Sequence, residues 1–160
     1  MSFFVRSTAA PKPKTKNIRP VSLLLAGIFI VMAVAQLFTF EDFPGVIIQM
    51  NLPGGEMFAS PRAALIVILE IAALPFLLFM QLSPAARAFS MFAGWAVVIV
   101  WMATSLWTNI VVMATVNSGF LGATVSLASG WWMVLFSLAL GTLAAWAAWG
   151  MWPLHQKHAK

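Results

Sequence analysis

Cysteine is missing from this chain, and charge is scarce. Without thiols there is no disulfide framework, no thiolate zinc site, no cysteine-ligated iron–sulfur cluster and no thiol–disulfide exchange. Only 8% of the 160 residues are charged, against about 25% in an ordinary soluble domain. Hydrophobic residues make up 62%, and a globule of this size has too little interior to hide so many. Hydrocarbon must supply the missing interior.

What is present is a series of long uncharged runs. From Pro20 to Phe40 nothing ionisable interrupts the sequence, which matches the ~20 residues needed to cross about 30 Å of hydrocarbon. Further runs predict spans at about 62–82, 89–107 and 131–152. The expected class is therefore all-α: an integral membrane, up-down bundle of four transmembrane helices over 20–152. A basic flexible tail over 1–19 precedes it and a second tail over 153–160 follows. Between Ala88 and Leu154 no residue is charged. A polar stretch around Thr108, Asn117, Gly122 and Ser129 divides that region, and the third helix could run on to about Val116. Ala33-Val34-Ala35 also fits a leader-peptidase site, which would leave three spans, but the apolar run continues past it to Phe40.

Local signals refine this outline. Phe43, Val46, Ile47 and Met50 are spaced i, i+3, i+4, i+7, which predicts a short amphipathic helix on the outer membrane surface in the first outer loop. Ser60 before Pro61 predicts a helix start, and Pro75 a kink. Arg6, Lys12, Lys14, Lys16 and Arg19 crowd one end, Arg87 lies in the second loop, and Lys157 and Lys160 crowd the other end. Arg62 stands alone on the opposite side, with Glu41, Asp42 and Glu56. This bias places both termini in the cytoplasm of a plasma-membrane protein. The same charges flank spans instead of lining a groove, so they argue for the lipid bilayer and against nucleic acid as a partner.

Glu70 is the position that most needs an explanation. It lies about 12 Å inside the second span, at 1.5 Å per residue, where a carboxylate costs roughly 2.5–3.5 kcal/mol on insertion scales. It must face the bundle interior and either find donors or hold its proton. It is a candidate ligand or proton site, shared with Gln36 near the outer end of the first span. The plainer role is an interhelical hydrogen bond to Gln36, Thr104 or Ser105. Arg62 is two helical turns from Glu70 and is expected at the head groups.

The remaining candidates carry weaker chemistry. His155 and His158 have a ligand-like spacing but lie in a lysine-bearing tail, so no metal site is assigned. The eight tryptophans and ten methionines could line a cavity for a quinone-like ligand, although lipid-facing and interfacial positions are their ordinary use. Ser137, Gly141 and Ala145 form a small-residue stripe that allows close helix packing, within the chain or with another protein. No nucleotide loop, triad or carboxylate pair is present, so no catalytic residue is assigned.

Taken in order, Gln36-Leu37-Phe38, Phe43-Pro44-Gly45, Leu52-Pro53-Gly54-Gly55 and AALIVILEIAALPFLLFMQLSPAAR with Glu70 inside it make the chain resemble the DoxX-like and MauE-like small membrane proteins over about 18–152. The resemblance implies an up-down four-helix bundle and association with membrane redox processes, with Glu70 and Gln36 as family-like positions. The missing cysteines depart from any relative acting through thiols. Two functions are expected: first, a non-catalytic accessory component of a redox-associated or envelope complex, with a membrane-protein partner or a second copy; second, a binding or transport protein for quinone, lipid or a small solute, using Glu70. No cofactor is evident from the residues alone, though a quinone could serve.

Overall fold

The computed structural model describes Thr8 and residues 10–151; Lys157, Lys160, His155, His158 and Trp152 lie outside the described residues. Five α-helices follow one another: α1 Ile18–Phe38, α2 Phe43–Gln49, α3 Ala59–Leu77, α4 Pro84–Trp107 and α5 Trp131–Gly150. A 3-10 turn, Glu56–Phe58, leads into α3, and a π-turn, Thr108–Val112, extends α4. No strand forms among the described residues, where two isolated bridges join Thr8 to Leu82 and Asn117 to Ala128.

Four helical stretches are long and apolar enough to cross a membrane: Ile18–Phe38, Glu56–Leu77, Pro84–Val112 and Trp131–Gly150. Each buries one stripe. Leu25, Phe29, Met32 and Gln36 line α1; Ala63, Ile66, Val67, Glu70 and Ala73 line α3; Gly94, Val97, Val98, Trp101 and Ser105 line α4. Leu24, Val31, Ile68, Phe92, Ile99 and Leu135 are exposed on the outward faces. Apolar surface inside and outside alike is the pattern of a helix whose solvent is lipid.

α1 packs on α3 and α5, and α4 packs on the same two helices. The contacts that link them are short-range and polar at several levels. Ser22, early in α1, donates to the carbonyl of Leu77 at the end of α3, 2.9 Å away. Near the other end of α4, Ser105 and Ser137 lie 3.3 Å apart. Gly94 of α4 faces Ala73 of α3, where an added Cβ would make an ordinary contact at 3.6 Å.

Pro75 is accommodated near the end of α3 by a side chain from α4. The Ser90 hydroxyl accepts from the Phe76 amide at 3.0 Å and donates to the Ala72 carbonyl at 2.6 Å. A hydroxyl thus stands between the donor and acceptor of one i→i−4 bond, satisfying both where proline disturbs the ladder. Two residues later α3 stops. Phe79, at φ 58°, occupies the left-handed position, Phe79 N–H bonds to Phe76 O, and Met80 N–H reaches back to Pro75 O. That is a Schellman stop with phenylalanine where glycine is usual.

Several expectations are corrected. The second span ends at Leu77 and not near 82, because the Schellman stop intervenes. α3 begins at Ala59 behind the 3-10 turn, with Phe58 at the cap position and no side-chain cap bond, so Ser60 falls inside the first turn. Ser83 is instead the working cap, accepting from the Ala86 amide ahead of Pro84. The third span starts at Pro84, five residues before the expected 89, and this puts Arg87 in the first turn of α4. There it is 2% exposed and donates to the carbonyls of Thr8 and Leu82.

Of the flexible tail expected over 1–19, Arg6 lies outside the described residues, and Thr8 and the part from residue 10 onward are engaged with the helices. Thr8 and Leu82 exchange backbone bonds, Lys14 N–H bonds to Gly150 O, Pro11 is buried and α1 already starts at Ile18. Finally, α2 has the apolar spacing expected, but Phe43, Val46, Ile47 and the adjoining Met50 are buried, and the helix packs on α3. The amphipathic face meets protein and not lipid head groups.

Candidate functional site

Three helices converge on one carboxyl group. Glu70 follows Ala63, Ile66 and Val67 on the inward stripe of α3 and is fully buried. From α1, Gln36 Nε2 donates to Glu70 Oε1 at 3.2 Å. From α4, the indole Nε1 of Trp101 donates to the same oxygen, also at 3.2 Å. The Gln36 nitrogen also reaches the carbonyl of Phe120 at 3.0 Å. With an acceptor on each side of it, the amide group has only one sensible orientation.

Phe120 arrives from the connection between α4 and α5. Asn117 shapes that connection by accepting from Gly119 N–H and donating to Gly122 O, an Asx turn. Gly122 has φ 60°, and a Cβ on it would lie 2.9 Å from Gln36 Cα, so only glycine lets the chain cross α1 at this height. Thr39 Oγ1 accepts from Ala123 N–H, and Thr124 donates to Ala35 O. The loop is thereby fastened to α1, and the Phe120 ring lies 4.4 Å from the Trp101 ring and 4.9 Å from that of Phe136.

The bonding is incomplete. Glu70 Oε2 and Gln36 Oε1 are buried and have no hydrogen-bond partner among the described residues, and the same holds for Ser118 Oγ. Buried polar atoms are nearly always paired, and an unpaired one costs about 1–3 kcal/mol. Two such oxygens on adjoining side chains make a local surplus of acceptors. With the carboxyl ionised, a donor completes the set: a hydroxyl, an ammonium or water. With the proton held on Oε2, that oxygen donates and Gln36 Oε1 still needs a donor, so a hydroxyl, which both donates and accepts, fits either state.

An apolar groove shares Phe120 with this cluster. Its volume is about 580 Å³, and it lies between α1 and α5, walled by Leu24, Gly27, Val31, Met32, Trp132 and Phe136, with Phe120 at its inner side. The size falls within the ~300–1,000 Å³ of ordinary small-molecule sites. A second groove of about 400 Å³ lies between α3 and α4 below Pro53, Arg62 and Trp107.

The sequence candidates are placed as follows. Gln36 is indeed the partner of Glu70. Thr104 and Ser105 are not; Ser105 donates to Trp101 O. Arg62 turns away from Glu70 and bonds to the Pro53 carbonyl. Ser137 is buried beside Ser105, and a Cβ at Gly141 would lie 3.3 Å from Val98 of α4. These two small residues therefore serve packing within the chain, while Ala145 has turned to the exposed side. Trp131, Trp132, Trp146 and Trp149 are exposed. Trp101 is not: it is fully buried, a correction to its expected lipid-facing place. Trp101 and Phe120 were missed as site residues. The i, i+3, i+4, i+7 register of Gly94, Val97, Val98 and Trp101 could have found the first; Phe120, in an irregular loop, leaves no such signal.

Among the described residues no group of three or more histidine, aspartate or glutamate side chains could hold a metal ion. Comparison with known proteins is silent: no family model, no curated protein and no solved structure matches the chain.

Proposed function

We propose that this is a multi-pass membrane protein that binds a small amphiphile, with its hydrogen-bonding head at Glu70 and Gln36 inside an up-down bundle of α1, α3, α4 and α5. The observation that carries this reading is the pair of unpartnered buried oxygens, Glu70 Oε2 and Gln36 Oε1, in a cluster that shares Phe120 with an apolar groove of ligand size. A hydroxylated head such as that of a quinol would supply the missing donor, and a quinone-type molecule, a lipid or a similar small solute fits the apolar surroundings. The DoxX-like and MauE-like resemblance is consistent with this reading but does not carry it. The basic residues near α1 and Arg87, set against Arg62 and the acids of the first loop, support termini on the cytoplasmic side of the plasma membrane.

The accessory-component reading came from the resemblance, with the small-residue stripe as the docking feature that would test it. With Ser137 and Gly141 engaged by α4, that feature supports the fold of this chain more than the docking of another.

The test is mild purification followed by identification of retained small molecules, with Glu70→Gln alongside. Glutamine preserves an acceptor for both Gln36 and Trp101, so the fold should hold. We expect a defined amphiphile in the wild-type extract and its loss, or an altered pH dependence of retention, in Glu70→Gln. Identical extracts from two folded proteins would defeat the proposal.

A further inference from the structure

We infer that the ligand reaches Glu70 sideways from within the membrane, its tail lying in the groove between α1 and α5 and its head admitted where Phe120 now stands. This rests on the binding function proposed above and adds the route, the seat of the tail and the group that closes the site.

Four observations meet here. The groove is lined by apolar side chains from both helices and is bounded inwardly by Phe120, Met32 and Phe136. Met32 sits one turn before Gln36 on the same buried stripe of α1. Phe120 is shared: it lines the groove, and its ring packs on Trp101, the indole that donates to Glu70. Its backbone carbonyl, meanwhile, holds the Gln36 amide. Phe120 is thus the residue that the groove and the Glu70 cluster have in common.

The occupant is defined by these walls. A charged or water-soluble molecule would gain nothing from a groove with Leu23, Leu24, Ile28, Val31 and Leu127 along it. A molecule with an apolar chain and one hydrogen-bond-donating head matches the groove along its length and the acceptors at its inner end. Gly27 marks where the chain passes, because a Cβ there would meet nothing within 4 Å.

Carboxyl-directed carbodiimides test the route directly. The chain has only four aspartate and glutamate residues, so modification of Glu70 can be followed by peptide mass spectrometry. In proteoliposomes, lipid-soluble dicyclohexylcarbodiimide should modify Glu70, while a water-soluble carbodiimide should leave it untouched. Phe120→Ala should accelerate the apolar reagent by about tenfold, since reactivity follows the open fraction. Gly27→Leu, which fills the groove without touching any neighbour of Glu70, should abolish most of the labelling in the wild-type background.

Equal labelling in wild type, Phe120→Ala and Gly27→Leu would overturn the route, as would equally fast labelling by the water-soluble reagent. Should Phe120→Ala fail to fold, Gly27→Leu still decides between the outcomes. The two proposals fail separately. If Glu70→Gln changes ligand retention while labelling ignores the groove, the route is wrong and the site stands; if labelling is gated but nothing is retained, the route stands and the binding function is wrong.

Discussion

The Glu70 cluster joins side chains with unequal alternatives. Gln36 has two acceptors within reach, whereas Glu70 has two donors crowding one oxygen and none on the other. Gln36→Leu would strip one donor from Glu70 and leave the Phe120 carbonyl unpaired. We expect a loss of about 1–2 kcal/mol, read as a lower unfolding midpoint in detergent micelles. Gln36→Leu with Glu70→Leu should cost less than the two single changes added together, because the Gln36–Glu70 bond is lost only once in the double variant. A double variant weaker than the sum of the singles would contradict this account of the cluster. An acid deep in an apolar run was legible from Glu70 alone, and Gln36 followed from its height on α1. Trp101 was not, because a tryptophan in a membrane helix has a ready explanation at the lipid interface, and only the register of α4 turns it inward.

The four long helices were recognisable from their apolar length, but their ends were set by interactions across the bundle. Pro75 announces a disturbance; that Ser90 of the next helix resolves it cannot be seen locally, since the two residues lie fifteen positions apart. Arg87 reads as a loop charge because nothing in its neighbourhood reveals the carbonyls of Thr8 and Leu82 that receive it. The glycines make a sharper contrast between elements. A Cβ at Gly150, at the end of α5, would collide with Ile18 at the start of α1, whereas one at Gly27 points into open space. Gly150→Ala should therefore destabilise the protein by about 1–3 kcal/mol through overpacking. Gly27→Ala should be neutral or stabilise it by up to about 1 kcal/mol through helix propensity. Thermal unfolding of the two variants in the same detergent compares them, and a loss at Gly27 equal to that at Gly150 would contradict the packing described between α1 and α5.

Over the whole molecule, the distribution of charge and the four long helices make a claim about sidedness. Because the chain has no cysteine of its own, single-cysteine variants carry no background. Lys16→Cys and Glu56→Cys, both at exposed positions, should react with an impermeant maleimide from opposite faces of sealed vesicles, with Lys16 on the cytoplasmic face. Reaction of both from one face would refute the proposed topology. The bundle is not uniformly fastened across its section. Through Ser90, α3 and α4 share a spliced backbone ladder, so sliding one past the other would orphan an amide and a carbonyl together. Along the seam between α1 and α5, by contrast, the Lys14–Gly150 backbone bond closes one end and oily side chains face each other for most of the remaining length. Breathing of the bundle should therefore be lopsided: α3 and α4 move as one spine, and the opposite edge parts like the fore-edge of a book.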